Sequence, residues 1–269
     1  MADDLKLMAI LAHPDDESLG NGGILAKYAA EGVKTFLVTA TRGERGWFGD
    51  EQTYPGLEEL GKIRENELLA ATKVLDICSV DFLDYIDGEL DQVIPEEAIA
   101  KIVGHLRRIS PDVVVTFGPF GSYGHPDHIA ISQFTTAAIV EAANPNSLSY
   151  QDLAPHSVSK LYYMAETEEQ FAVYQYAFGE LSMSIDGTRR GMTTWPGWSV
   201  TTIINTWEYW QTTVRAITCH KSQLPAYHVL AELSEEQRKL LWGTQSYYRA
   251  FSLVNGGRKV EEDLFEGLR

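Results

Sequence analysis

A chain of 269 residues, 44% hydrophobic and 11% aromatic, carries enough apolar material for a full core and fits a single domain over residues 1–269. Its formal charge of −16 argues against nucleic acid and anionic membrane surfaces as partners, and no Lys/Arg cluster offsets it. The cysteines, Cys78 and Cys219, make neither a CxxC pair nor a disulfide framework, the N-terminus has no basic leader, and no run approaches the roughly 20 apolar residues of a membrane span; a soluble, cytoplasmic protein is expected.

In chain order, the apolar run 5–12 reads as a buried strand and is followed at once by His13-Pro14-Asp15-Asp16-Glu17. Pro14 fixes its own φ and biases His13 away from helix, so the strand ends at His13 and the chain turns into a helix, with His13 and Asp16 facing one pocket. Further strand-like runs at 35–40, 80–85 and 112–118 alternate with segments of helical period at 19–31, 57–75, 95–109 and 127–143. That alternation predicts an α/β fold, a mainly parallel sheet between covering helices. Segment 57–75 has Leu57, Leu60, Ile63, Leu68, Ala71 and Leu75 on one face, as a helix lying on a sheet requires. A second stretch, Tyr123-Gly124-His125-Pro126-Asp127-His128, follows the fourth strand, with Pro126 just inside the start of the next helix. With the usual doubly wound strand order, strands one and four are neighbours and ligands bind at the switch point beyond their carboxyl ends, so the two histidine stretches meet there.

The loop 41–56 is long for a strand-to-helix connection, where about 2–6 residues are typical. It is either a self-packed surface loop or a substrate wall with Glu44, Arg45, Trp47 and Phe48 reaching inward. Beyond residue 143 the pattern predicts a loop at Asn144-Pro145-Asn146-Ser147, a fifth strand at 160–165, an ambiguous segment at 170–178, a helix at 208–223 and a late strand at 247–254. The stretch 192–210 holds Trp195, Trp198, Trp207, Tyr209 and Trp210, which suits a buried core, a subunit contact in a homo-oligomer, or stacking on a sugar or acyl group. The chain thus divides into a metal-binding part, 1–143, and a substrate-shaping part, 144–269.

One His-Pro-Asp tripeptide is weak evidence, because acidic residues at a helix start are favoured by the helix dipole alone. Two of them, each at a strand end and each followed by another ligand-capable residue, point to a metal. His13, Asp16 and His128 are the candidate ligands, two imidazoles and a carboxylate that leave a fourth position open, as in hydrolytic zinc centres. Such a site activates water and polarises a carbonyl, the two needs of amide hydrolysis. Asp15, beside a ligand but not itself one, is the candidate general base. His125 is the candidate donor to the oxyanion, with Asp127 orienting its ring and favouring its charged form, and Tyr123 is a second donor. The same ligands accept Fe2+ or Co2+.

Ala12-His13-Pro14-Asp15-Asp16-Glu17 and His125-Pro126-Asp127-His128 resemble the two signatures of the LmbE-like, or PIG-L-type, zinc-dependent de-N-acetylases. The resemblance implies a Rossmann-like three-layer sandwich with Zn2+ on His13, Asp16 and His128 at the carboxyl ends of the strands, Asp15 as base and His125 as its electrostatic partner. Tyr123 falls where some members carry an oxyanion-facing tyrosine. Arg64 and Asp87 fall near positions that hold the sugar, and His220-Lys221-Ser222-Gln223 is similar to a late family segment. The expected reaction is removal of an N-acetyl group from an N-acetylglucosamine-type amine or its conjugate; the alternative is cleavage of a larger N-acyl group from a thiol conjugate or glycolipid-like molecule.

Other classes fit less well. Gly20-Asn21-Gly22-Gly23 does not match GxGxxG and follows three carboxylates that would repel a pyrophosphate. No GxSxG elbow suggests a serine hydrolase. A non-catalytic sugar-binding protein would have no need of the full set of ligands and base. His105, His156 and His228 stand outside any ligand spacing.

Overall fold

The computed structural model describes residues 4–147, 150 and 152–269, apart from the side chains of 177, 178, 227, 228 and 231. In chain order its elements are β1 (Lys6–Leu11), α1 (Asp16–Leu19), α2 (Gly22–Ala30), β2 (Lys34–Thr41), α3 (Leu57–Val74), β3 (Ser79–Tyr85), α4 (Pro95–Ile109), β4 (Val113–Thr116), α5 (Gly121–Gly124) and α6 (Pro126–Ala143). There follow β5 (Lys160–Met164), α7 (Glu168–Phe178), β6 (Ser182–Ile185), β7 (Thr188–Gly191), β8 (Thr202–Asn205), α8 (Trp210–Ile217), α9 (Leu224–Tyr227), α10 (Glu235–Trp242) and β9 (Thr244–Ser252).

The main sheet has seven strands in the order β3-β2-β1-β4-β5-β9-β8. The first five run parallel, and β9 pairs antiparallel with both β5 and β8. Strands buried on both faces read as continuous apolar runs, which is why β1 and β4 are so plain in the sequence. Leu7 to Ala12 and Val113 to Val115 have no exposed surface. The order reverses between β1 and β4, where Ala9 sits opposite Val115, so the turns after these strands open side by side.

The expected helix at 19–31 is α2, which starts only after a break at Gly20 and Asn21 that separates it from the short α1. Glycine here serves packing: a Cβ on Gly23 would lie 2.7 Å from the Thr206 side chain. The expected helix 208–223 is also broken, into a 3-10 turn at Trp207–Tyr209, α8, and a second 3-10 turn at Lys221–Gln223. The ambiguous 170–178 lies within α7, which opens on a capping box between Thr167 and Gln170. The hairpin of β6 and β7, strand β8 and α10 carried no sequence expectation. Among the described residues no helix is long and apolar enough to cross a membrane.

The C-terminal tail is tied to the sheet by a buried charge. Lys160 Nζ on β5 donates to Glu261 Oε1 at 2.6 Å, and Glu261 Oε2 accepts from the hydroxyls of Tyr162 at 2.7 Å and Thr202 at 2.8 Å. Lys160 is wholly buried and Glu261 nearly so. Replacing Glu261 by Ala leaves the lysine buried without its carboxylate, and a loss of about 3–5 kcal/mol in unfolding free energy is expected, measured by urea denaturation.

Candidate active site

Residue 15 is where the first strand-end turn departs from ordinary backbone. Asp15 has φ 106° and ψ −26°, a left-handed conformation that costs a non-glycine residue roughly 1–3 kcal/mol. The turn lets Asp16 fold back, its Oδ2 accepting from the amides of His13 at 2.8 Å and Ala12 at 3.2 Å. Arg64 on α3 clamps the same turn: Nη2 donates to Pro14 O at 2.6 Å and Asp15 Oδ2 at 3.1 Å, and Nη1 to Gly43 O at 2.9 Å. Gly43 has φ +68°, and a Cβ there would stand 2.2 Å from Nη1, so glycine is required for the loop to close over the guanidinium.

The second turn delivers the remaining groups. Pro126 occupies the first turn of α6 and His125 caps it, Nδ1 accepting from the Asp127 amide at 3.2 Å. One helical step on, the His128 ring stacks on Phe117, centroids 3.8 Å apart and planes 10° from parallel.

These turns bring three ligand-capable side chains together. His13 Nδ1 and His128 Nε2 are 3.2 Å apart, and Asp16 presents Oδ2 at 3.7 Å from the first and Oδ1 at 3.6 Å from the second. Ligand atoms about 2.1 Å from a tetrahedral ion lie about 3.4 Å from one another, so the spacing fits a single divalent cation. On its other side His13 Nε2 is 3.1 Å from Asp127 Oδ2 and 3.1 Å from Asp87 Oδ1. With a cation on the Nδ1 side, a proton on Nε2 would be held by these carboxylates, the support that ligating histidines receive. His13, His125 and His128 form a second set, and His13, Asp87 and Asp127 a third. His125, however, already uses Nδ1 on the Asp127 amide.

The charges follow from burial and these contacts. Burial opposes a charge on His13, but hydrogen bonds to Asp127 and Asp87 outweigh it and raise its pKa well above the usual histidine value. Burial, reinforced by His13, holds His128 well below that value and brings His125 down to about 4. Burial pushes the Asp16 carboxyl up to about 7, with Asp15 and Glu17 adding to the rise and His13 opposing it. Asp87 goes the other way: burial works against its charge, yet the hydrogen bond to His13 keeps its carboxyl far below the usual carboxylate range. Burial also raises the Tyr123 phenol, and Asp16 and Asp15 add to the effect.

Two details differ from expectation. The carboxylate of Asp127 is not on His125: it accepts from the amides of Gly88 at 2.7 Å and Leu90 at 3.1 Å and faces His13, and burial together with His13 disfavours the charged His125 ring that was expected. Glu44 does not line the cavity. It is buried behind it, where Oε2 accepts from the Asp87 amide at 3.2 Å, and Arg45, Gly46 and Phe48 are the loop residues that reach the wall.

The cavity, about 570 Å³, is lined at one part by His13, Asp15, Asp16, Arg64, Asp87, Tyr123, His125 and His128. Leu19, Phe48, Met164, Tyr174, Leu181 and Met192 give it an apolar wall, and Glu166 and Gln223 add polar groups. Most of these later residues carry no motif; Phe48 in loop 41–56, Met192 at the start of 192–210 and Gln223 stood in segments the sequence singled out. The tryptophans of 192–210 are absent from the lining: Trp195 stacks on Tyr248 at 5.1 Å, Trp207 on Trp210 at 5.5 Å, and Trp198 is exposed. His105 meets Arg108 and His156 meets the Pro111 carbonyl, away from the site; the His228 side chain lies outside the described residues.

A family model described as PIG-L, GlcNAc-PI de-N-acetylase, matches residues 8–139. A 1D-myo-inositol 2-acetamido-2-deoxy-alpha-D-glucopyranoside deacetylase of Streptomyces avermitilis is 32% identical, over 98% of this chain and 98% of its own. A mycothiol S-conjugate amidase of Streptomyces coelicolor is 27% identical over 100% of this chain and 99% of its own. The N,N'-diacetylchitobiose deacetylase from Pyrococcus horikoshii has a similar fold, with a TM-score of 0.67 at 22% identity over 92% of this chain and 84% of that one.

The spacing of donor atoms makes a prediction about metal binding. In metal-stripped protein titrated against a chromogenic chelator, Asp16→Ala and His128→Ala are expected to weaken zinc binding by about a hundredfold or more, while His125→Ala keeps about one ion per chain. Loss in His125→Ala with retention in Asp16→Ala would assign the three-imidazole set instead.

Proposed function

The chain belongs to the PIG-L family of de-N-acetylases, and from that we propose that it hydrolyses the acetamide of an N-acetylglucosamine-type conjugate to the free amine and acetate. The observation that carries the proposal is the convergence, in one cavity, of two imidazoles and a carboxylate at cation-binding spacing with a second carboxylate that an arginine aims alongside them. The ion we assign is Zn2+, held by His13, Asp16 and His128, with Fe2+ and Co2+ compatible with the same donors. When bound, it supplies Lewis acidity and lowers the pKa of water.

The protein groups then divide the proton work. Asp15 takes the proton of the water that attacks the acetyl carbonyl and returns it to the amine as the C–N bond breaks. His125, neutral and accepting at Nδ1, carries its proton on Nε2 and is a donor to the oxyanion without needing a charge. Tyr123, whose phenol keeps its proton, is the second donor. Asp127 acts one step back by fixing the tautomer of His13. Arg64 and Asp87 are the groups in reach of sugar hydroxyls, and Glu44 supports Asp87 from behind. Cavity residues come from both the 1–143 and 144–269 parts, which supports treating 1–269 as one functional unit.

The apolar wall favours one second reading: an amide whose acyl group or aglycone is larger and less polar than acetate or inositol. Product analysis separates the two. Metal-stripped protein is expected to release acetate from N-acetylglucosaminyl conjugates only after zinc is restored, with longer N-acyl analogues slower; faster cleavage of the longer chains would favour the second reading. Asp15→Asn is expected to lower kcat by about a hundredfold or more while zinc stoichiometry is kept, and unchanged turnover would remove Asp15 as the base.

A further inference from the structure

We propose that His220 is a positioning residue for Asp15, acting through Glu17. The inference rests on Asp15 being the general base. Asp15 keeps its left-handed backbone with φ 106° although it is not glycine, so something must hold it there. Its amide donates to Glu17 Oε2 at 2.9 Å. The other oxygen of Glu17 accepts from His220 Nε2 at 2.8 Å and from the Ser18 hydroxyl. Glu17 and His220 both have zero exposure, and neither lines the cavity.

A carboxylate buried to this degree keeps its place only while donors hold it. His220 provides the donor that comes from outside the motif, from 203 positions along the chain. Among the described residues its Nδ1 has no hydrogen-bond partner, so the polar contacts of the ring are confined to the Glu17 and Ser18 side. The residues after it anchor the segment. Ser222 donates from its amide and hydroxyl to Glu67 on α3 at 2.8 and 2.6 Å, and Gln223 Nε2 donates to Gly46 O at 2.8 Å. The same short segment therefore ties together the Asp15 turn, the helix that carries Arg64 and the loop that covers the guanidinium. Arg64 fixes the Asp15 carboxylate from one side and Glu17 fixes its amide from the other. Without His220, Glu17 loses its distant anchor, the amide of Asp15 loses a fixed acceptor, and the backbone relaxes toward ordinary φ. The carboxylate then leaves its line to the attacking water, and displacements near 1 Å cost about a hundredfold in rate.

The test compares full-length, zinc-loaded His220→Leu, His220→Asn and His220→Gln with wild type. The readouts are kcat, KM, zinc content and the exchange rate of the Asp15 amide by NMR. Leu removes the donor, Asn is too short to reach Glu17, and Gln places an amide nitrogen close to where Nε2 stands. His220→Leu and His220→Asn are expected to lower kcat about twentyfold or more with KM within about threefold and zinc near one per chain, and to speed Asp15 amide exchange about tenfold. His220→Gln is expected to recover kcat and amide protection to within about threefold of wild type. Should His220→Leu fail to fold, the Asn and Gln pair carries the comparison. Wild-type kcat and protection in His220→Asn, equal damage in the Gln and Asn variants, or a loss of rate that tracks loss of zinc would each overturn the proposal. If wild-type protein cleaves none of the acyl amines offered, the proposed function fails; the amide-exchange arm still decides whether His220 holds Asp15.

Discussion

His13 is hydrogen-bonded across its ring to two carboxylates, and the rest of the site is arranged around that contact. With Nε2 committed to Asp127 and Asp87, Nδ1 can point only toward His128 and Asp16. Asp127 is in turn held by the amides of Gly88 and Leu90, in the connection after β3, and Asp87 takes the amide of Arg45 from the loop after β2. One imidazole thus gathers the segments that follow β1, β2, β3 and β4. The doubly wound strand order makes this possible, because those segments all leave the same edge of the sheet, with β1 and β4 adjacent at the reversal.

The concentration of charge in this pocket has a structural cost that the surroundings absorb. Asp15, Asp16, Glu17, Asp87 and Asp127 are all buried or nearly so, within a protein already carrying a net charge of −16. Each has a dedicated partner: Arg64 for Asp15, the amides of Ala12 and His13 for Asp16, His220 for Glu17, His13 for Asp87 and Asp127. Buried carboxylates held in this way are preorganised, so little reorganisation is needed when charge develops at the reacting amide. The apolar wall opposite them lowers the local dielectric and makes those same charges act more strongly.

Much of this was legible in the sequence. The buried strands β1 and β4 are continuous apolar runs, the two histidine stretches stand directly after them, and strand order then brings His13, Asp16 and His128 together without further information. Tyr123, Arg64 and Asp87 also reach the cavity. What could not be read is what depends on side-chain direction. The i,i+2 spacing of His125 and Asp127 suggested a pair, yet the helix that starts at Pro126 turns the Asp127 carboxylate toward His13 and leaves only its backbone amide for His125. Glu44 sits in the right loop but turns inward. The far wall from Met164 to Met192 has no motif, because apolar residues that shape a cavity look the same in sequence as those that fill a core. The tryptophan-rich stretch shows the converse, a conspicuous composition that is spent on packing Trp195 and Trp207 against neighbouring rings.

The most direct test of the account is a crystal structure of the zinc-loaded protein with anomalous data collected at the zinc edge. A single anomalous peak within about 2.3 Å of His13 Nδ1, His128 Nε2 and an Asp16 oxygen, with His13 Nε2 still on Asp127, is the predicted result. A peak on the opposite side of the ring, between His13 Nε2, Asp87 and Asp127, or one bound by His125, would contradict it.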